Sequence, residues 1–126
     1  MDTNDTNQNT KIIHKELSYK INGILFNVHN ELGRFCREKQ YADTIELLLK
    51  DAKISYAREK TTSLSNIPDF IIENKIILEL KTEPFILKEH YNQVQRYLQD
   101  TDLKLGLLVN FRIKYLKPIR IIRINS

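Results

Sequence analysis

Leu17, Ile21, Ile24, Leu25, Val28 and Leu32 recur at the spacing of one helix face, and Gly33 follows where such a helix would stop. Tyr41, Ile45, Leu48, Leu49 and Ala52 repeat the pattern, predicting a second helix that starts near Cys36 or Arg37, ends near Asp51 and packs on the first as a hairpin. Beyond it the period becomes that of strands. Residues 54–58 form a short one, 67–72 are apolar and β-branched, and 75–81 read the same way. Glu73, Asn74 and Lys75 separate the last two, and because Asn accepts the positive φ of a tight turn, the pair predicts a β-hairpin. Leu87, Tyr91, Val94 and Leu98 then mark a third helix after the breaker Pro84. Residues 103–109 are almost wholly apolar, as in a strand covered on both faces, and 119–124 give a last strand after Pro118. The predicted order is ααβββαββ. An α/β fold with a mixed β-sheet sandwiched between helices is the simplest arrangement that buries all these faces.

The length of 126 residues supports one core, so residues 11–126 are read as a single domain and the polar stretch 1–10 as a loose, disordered tail. A hydrophobic fraction of 41% with 29% charged residues excludes a disordered or membrane-embedded class. No apolar run reaches the length of a membrane span, and the N-terminal stretch lacks the basic-then-apolar pattern of a secretion signal, so a cytoplasmic location is expected. The single cysteine, Cys36, excludes an intramolecular disulfide and a thiolate cluster within one chain, and reads as a packing residue rather than a nucleophile. His14, His29 and His90 share no metal-ligand spacing, which argues against zinc. The net charge of +4 is modest, but Arg112, Lys114, Lys117, Arg120 and Arg123 occupy a stretch with no acidic residue. Two readings stand side by side: a phosphate-attracting strip, in which Lys114 and Lys117 contact nucleic acid, or an edge strand protected from aggregation by its charges.

The hairpin carries the chemistry. If it is centred on Asn74, residues whose numbers sum to 148 oppose each other, and Asp69 faces Glu79. Opposed residues of an antiparallel pair point to one face, and Lys81, two positions past Glu79, shares it. Facing carboxylates repel, a conflict that a hard divalent cation between them removes. Magnesium keeps several waters, so Asp69, Glu79 and the backbone carbonyl of Leu80 suffice as protein ligands, leaving positions for a phosphate oxygen and a water. Lys81 is then placed to act on that water and to offset charge on a phosphorane-like transition state. The bland alternative is a surface pairing of Glu79 with Lys81 or Lys75.

Pro68, Asp69, Glu79, Leu80 and Lys81 together resemble the signature of the PD-(D/E)xK nuclease superfamily. Gly33, Glu38 and Tyr41 are similar to the motif that names its GxxExxY family, and His90, Gln93, Tyr97 and the stretch 105–110 extend the likeness over most of the chain. The spacing from Gly33 to Glu38 is longer than that name implies, and Phe35 stands where a second glycine is often found. The resemblance implies a restriction-endonuclease-like core in which Glu38 is a further acidic residue delivered to the metal, with an exposed carboxylate near Arg34 or Arg37 as its alternative. Gln93 and Tyr97, four apart on one helix face, look like the Gln-x-x-x-Tyr motif of RecB-type exonucleases, which lies beside the catalytic acids and DNA. A packed Tyr97 and a solvated Gln93 are the structural alternative.

The expected catalytic set is therefore Glu38, Asp69, Glu79, Lys81 and Gln93, with magnesium, or manganese in its place, as cofactor. The expected activity is hydrolysis of phosphodiester bonds in DNA, exonuclease-like and suited to DNA repair; the residues do not distinguish DNA from RNA. A non-catalytic nucleic-acid- or protein-binding module on the same fold is the competing reading. A junction-resolving endonuclease is a third, and it requires a homodimer with two active sites.

Overall fold

The computed structural model describes residues 13–59 and 67–125; the predicted N-terminal tail lies outside them. Three helices, α1 (Lys15–Leu32), α2 (Glu38–Asp51) and α3 (Lys88–Thr101), accompany five strands: β1 (Tyr56–Arg58), β2 (Phe70–Ile72), β3 (Ile76–Lys81), β4 (Leu105–Asn110) and β5 (Ile119–Ile122). The order is the one the periodicity predicts. The strands form one sheet in the order β1-β2-β3-β4-β5, antiparallel except for the central β3–β4 pair, which α3 connects as a crossover.

Helix boundaries follow local chemistry. Gly33 ends α1 at φ 78°, a left-handed value that costs glycine nothing, and its N–H donates to the His29 carbonyl at 2.8 Å. The end of α2 carries the same function on a less suited residue: Lys53 sits at φ 59° while its N–H reaches the Lys50 carbonyl and the Ile54 N–H reaches that of Leu49, both at 3.0 Å. This pair of bonds is a Schellman cap. It uses the backbone of Ile54, which explains why β1 starts at Tyr56 rather than at the predicted residue 54.

The alternation of side chains across the sheet divides the interior in two. Phe70, Ile72, Ile76, Leu78, Leu80, Leu105, Leu107 and Val109 meet α1 and α2 through Ile21, Leu25, Val28, Tyr41, Ile45 and Leu49. On the opposite face Ile71, Ile77, Leu108 and Ile121 meet α3 through Val94, Tyr97 and Leu98. The helix stripe differs from the predicted one in its first turns. Leu87 and Tyr91 are exposed, and Tyr97, one turn later, is buried instead. Helix α3 lies close on the sheet because β4 offers it a glycine: a Cβ on Gly106 would stand 2.6 Å from the Val94 Cγ1.

Candidate active site

The hairpin turn sets the register. Glu73 and Asn74 hold φ at 55° and 53°, and the Lys75 N–H closes the turn on the Ile72 carbonyl at 3.0 Å. Left-handed backbone is unfavourable for Glu, and Ser55 holds it there, since its N–H donates to the Glu73 carboxylate at 2.9 Å and its carbonyl accepts from the Glu73 N–H at the same distance. Phe70 consequently faces Leu78, and Ile72 faces Ile76, the register expected for a hairpin centred on residue 74.

Strand β2 begins at Phe70, three residues after the predicted start, because one step further along the hairpin two side chains replace the ladder. The Asp69 N–H donates to Glu79 Oε1 at 3.0 Å, and the Leu80 N–H donates to Asp69 Oδ2 at 2.7 Å. Each carboxylate thus accepts a backbone hydrogen bond from the other strand, which fixes one oxygen of each. Asp69, Glu79 and Lys81 belong to the set of alternating positions that faces α3, as their neighbours Ile71 and Ile77 do. Helix α3 supplies Gln93, whose Oε1 accepts from Lys81 Nζ at 2.9 Å, and the same ammonium stands 3.6 Å from Glu79 Oε2.

Burial dominates the electrostatics. It pushes the Glu79 carboxyl up to about 8, the charge of Asp69 adds to the shift, and the Asp69 N–H and Lys81 oppose it. Asp69 is also raised by burial, against the Leu80 N–H and Lys81. Both shifts favour the protonated form, so without a cation the pair holds a proton more tightly than free carboxyls do. Glu38, the first residue of α2, comes around the end of the sheet: burial raises its carboxyl, then the charge of Asp69, while Lys81 and the Thr82 backbone N–H act the other way. The charges of Asp69, Lys81 and Glu83 are thus felt at Glu38, while the Arg34 Nε–H donates to the Arg112 carbonyl.

The donors suit a hard cation. Leu80 directs its N–H toward Asp69, whereas the Lys81 carbonyl accepts from Phe111 on β4. Because the N–H and C=O of one strand residue point to the same side, the Leu80 carbonyl faces the Asp69 side. Two carboxylate oxygens and this carbonyl match the all-oxygen, partly hydrated coordination of magnesium. Among the described residues no three His, Cys, Asp or Glu side chains form a ready-made metal cage, so Glu38 stands apart from the inner pair.

A family profile of the PD-(D/E)XK nuclease superfamily matches residues 15–123. The chain belongs to that superfamily. No curated protein and no solved structure matches it. The mixed sheet between helices is thus the restriction-endonuclease-like core of a PD-(D/E)XK protein, and nuclease chemistry on nucleic acid with a divalent ion is the general property of that superfamily. No helix among the described residues is long and apolar enough to cross a membrane.

Within this PD-(D/E)XK core the expected site residues fall into three groups. Asp69, Glu79, Leu80, Lys81 and Gln93 converge, and the charges of Asp69 and Lys81 are felt at Glu38. Tyr97 departs from the expectation of a nucleic-acid contact: it is only 3% exposed, packed beneath the carboxylates, and its phenol is held protonated by burial and by the charges of Glu79 and Asp69. Lys114 and Lys117 are exposed in the loop after β4, but the five-residue basic strip is not continuous. Arg120 turns to Ser18 Oγ and the Ile13 carbonyl, both at 3.0 Å, and Arg123 pairs with Asp102 at 3.2 Å. Two supporting residues had no signal in the spacing of motifs. Asn110 is buried and clasps Glu83 in both directions, accepting its N–H at 3.0 Å and donating to its carbonyl at 2.8 Å; the sequence marks it as the polar residue that closes the apolar stretch 105–110, without indicating this role. Gly106 is the other.

Proposed function

We propose that this PD-(D/E)XK protein hydrolyses phosphodiester bonds in DNA with magnesium as its ion and manganese as a substitute, and that it acts as a small exonuclease-like member of the GxxExxY family. The observation that carries the reading is the reciprocal clasp of two carboxylates, the buried Glu79 and the half-buried Asp69, with Lys81 on the same face. A sheet has no structural use for two opposed acids, and a cation resolves their repulsion. The narrower family assignment is supported by the physical roles of its motif residues. Gly33 ends α1, Tyr41 Oη donates to the Gly33 carbonyl at 2.6 Å, and Glu38, between them, opens α2 toward the site. The free Cys36 fits a reducing cytoplasm.

Asp69, Glu79 and the Leu80 carbonyl would hold the cation, with Glu38 as the outer acidic group. When bound, it supplies a Lewis acid for the phosphoryl group and lowers the pKa of coordinated water. Lys81, oriented by Gln93, directs its ammonium at the attacking water and offsets negative charge developing on the phosphorus oxygens. Tyr97 keeps the floor beneath the two carboxylates closed to solvent.

Labelled linear, circular, single-stranded and branched DNA, each incubated with magnesium or manganese, tests the proposal, with Glu79→Gln as control. Loss of linear substrates from their ends, abolished in the variant, is expected. No cleavage of any substrate, together with no heat of magnesium or manganese binding by calorimetry, would instead identify a binding module that retains only the fold.

A further inference from the structure

Resting on the nuclease reading, the rim of the site carries a statement about the form of DNA that reaches it. Phe35 and Phe85 are each 76% exposed, and both lie within three residues of a group that acts on the site. Phe35 precedes Glu38 in the loop between α1 and α2, and Phe85 follows Glu83, whose charge is felt at Glu38. The surroundings of Phe35 are specific. The Arg34 guanidinium stands 4.9 Å from the ring centroid and that of Arg112 stands 5.9 Å from it. Arg34 is fixed by its bond to the Arg112 carbonyl at 2.8 Å, and the Arg112 N–H is held by the Asn110 side chain that also anchors Glu83. Hydrogen bonds therefore link Arg34, which lies over the ring, through Arg112 and Asn110 to the Glu83 backbone, two residues beyond Lys81. Among the described residues the buried Arg112 Nε–H has no hydrogen-bond partner.

An exposed aromatic ring with two guanidiniums close by offers stacking for a base and charge for its phosphate at one place. In an intact duplex the base faces are covered by their neighbours, and recognition would require an element that enters a groove. Both rings here are on loops, Phe35 on the one that leads into Glu38 and Phe85 on the one that follows Lys81. A base can meet them only when unpaired.

We propose that Phe35, flanked by Arg34 and Arg112, stacks an unpaired base of a single DNA strand beside the scissile phosphate, with Phe85 as a second stacking ring. The substrate is then single-stranded DNA, or a duplex end whose strands have separated, and not intact duplex.

Fluorescence anisotropy in EDTA, with a labelled single strand and with the same sequence as a closed-end duplex, measures this without requiring cleavage. Wild-type protein should bind the single strand more tightly than the duplex at equal salt. Phe35→Ala should weaken single-strand binding by about 5- to 100-fold, the usual loss for one base–aromatic stack, and the Phe35→Ala/Phe85→Ala double variant by more. Phe35→Trp should restore it, and Tyr19→Ala, which removes an equally exposed ring on α1, should change nothing. Equal binding of duplex and single strand, or a double variant within about twofold of wild type, overturns the proposal. Ring-dependent binding with no cleavage of any DNA in magnesium or manganese would overturn the nuclease reading and leave the stacking surface standing. Cleavage that depends on Glu79 while binding ignores both rings would do the reverse.

Discussion

The pair of opposed acids makes the protein's stability depend on pH in a direction opposite to that of most carboxylates. An acid whose folded pKa lies above its unfolded value binds its proton more tightly when folded, so its contribution is complete below the unfolded pKa and is lost as pH rises through the folded one. For Glu79 that window runs from its ordinary value of 4.5 up to about 8. In EDTA the melting temperature should therefore fall as pH is raised through this range, by at least about 5 °C, and Glu79→Gln should remove most of the slope. Magnesium should reverse the loss at pH 8, since the ion takes the place of the proton. A metal-free melting curve independent of pH would mean that the two carboxyls are hydrated. Asp69→Asn and Glu79→Gln should each abolish cleavage with little change in DNA affinity. Lys81→Ala should lower the turnover number by roughly 10²- to 10⁴-fold while metal affinity stays within a few-fold, because the ammonium faces water and phosphate rather than serving as a ligand. Lys81→Arg should recover little, since a guanidinium neither fits the Gln93 contact nor gives up its proton. Calorimetry and single-turnover kinetics separate these effects.

Helix α3 holds Gln93 over Lys81, and its height above the sheet is fixed at Gly106. Gly106→Ala places a methyl group against Val94, and overpacking of this kind costs about 1–3 kcal/mol. The displaced helix should also weaken the Lys81–Gln93 contact and slow turnover, so that the variant loses activity without losing metal affinity. Val94→Ala in the same chain should recover part of both losses, which a double-mutant cycle on melting temperature and turnover would detect. A second service of α3 is at the sheet edge. Gln95 Nε2 donates to the Ile122 carbonyl at 2.7 Å, the Ile124 N–H donates to Gln95 Oε1 at 3.1 Å, and Gln99 Nε2 donates to the Ile124 carbonyl at 2.8 Å. These amides satisfy the outer edge of β5 where another strand could pair, so protection of this edge comes from helix side chains as well as from its own charges.

At the scale of the whole molecule, cations divide between structure and surface. Arg58 joins α2 to β1 through Asp43 at 2.8 Å and Glu46 at 2.7 Å, and Arg120 and Arg123 bind protein partners, while Lys114 and Lys117 remain exposed. Neutralising both lysines should flatten the dependence of log affinity on log salt for single-stranded DNA by at most about 1.4, near 0.7 per phosphate contact. Neutralising Arg123 should leave the slope unchanged and affect only stability. Gln93→Ala should reduce turnover with the slope intact, because an amide positions a strand without releasing counterions. If the lysine pair has no effect on the slope, the phosphate contacts belong to Arg34 and Arg112 or to Lys15 and Lys20 on α1.

The linear chain by itself determined the element order, the hairpin register and the convergence of Asp69, Glu79 and Lys81, because a period of 3.6 or 2 and a tight turn are local properties that sequence spacing records directly. Glu38, Gln93 and Tyr97 are marked by likeness to a family, since no periodicity relates a residue on α2 or α3 to a strand of the hairpin from which a loop separates it. Only the tertiary structure decided that Tyr97 is a buried support and that the basic run between residues 112 and 123 is shared between loop, helix and edge. It also decided how closely α3 approaches Gly106 and that Asn110 ties the Glu83 loop to the sheet. Each of these depends on which surfaces meet when helices pack on a sheet, and on the burial that results. Burial, more than any nearby charge, is what raises Glu79, and burial is a property of the folded chain as a whole.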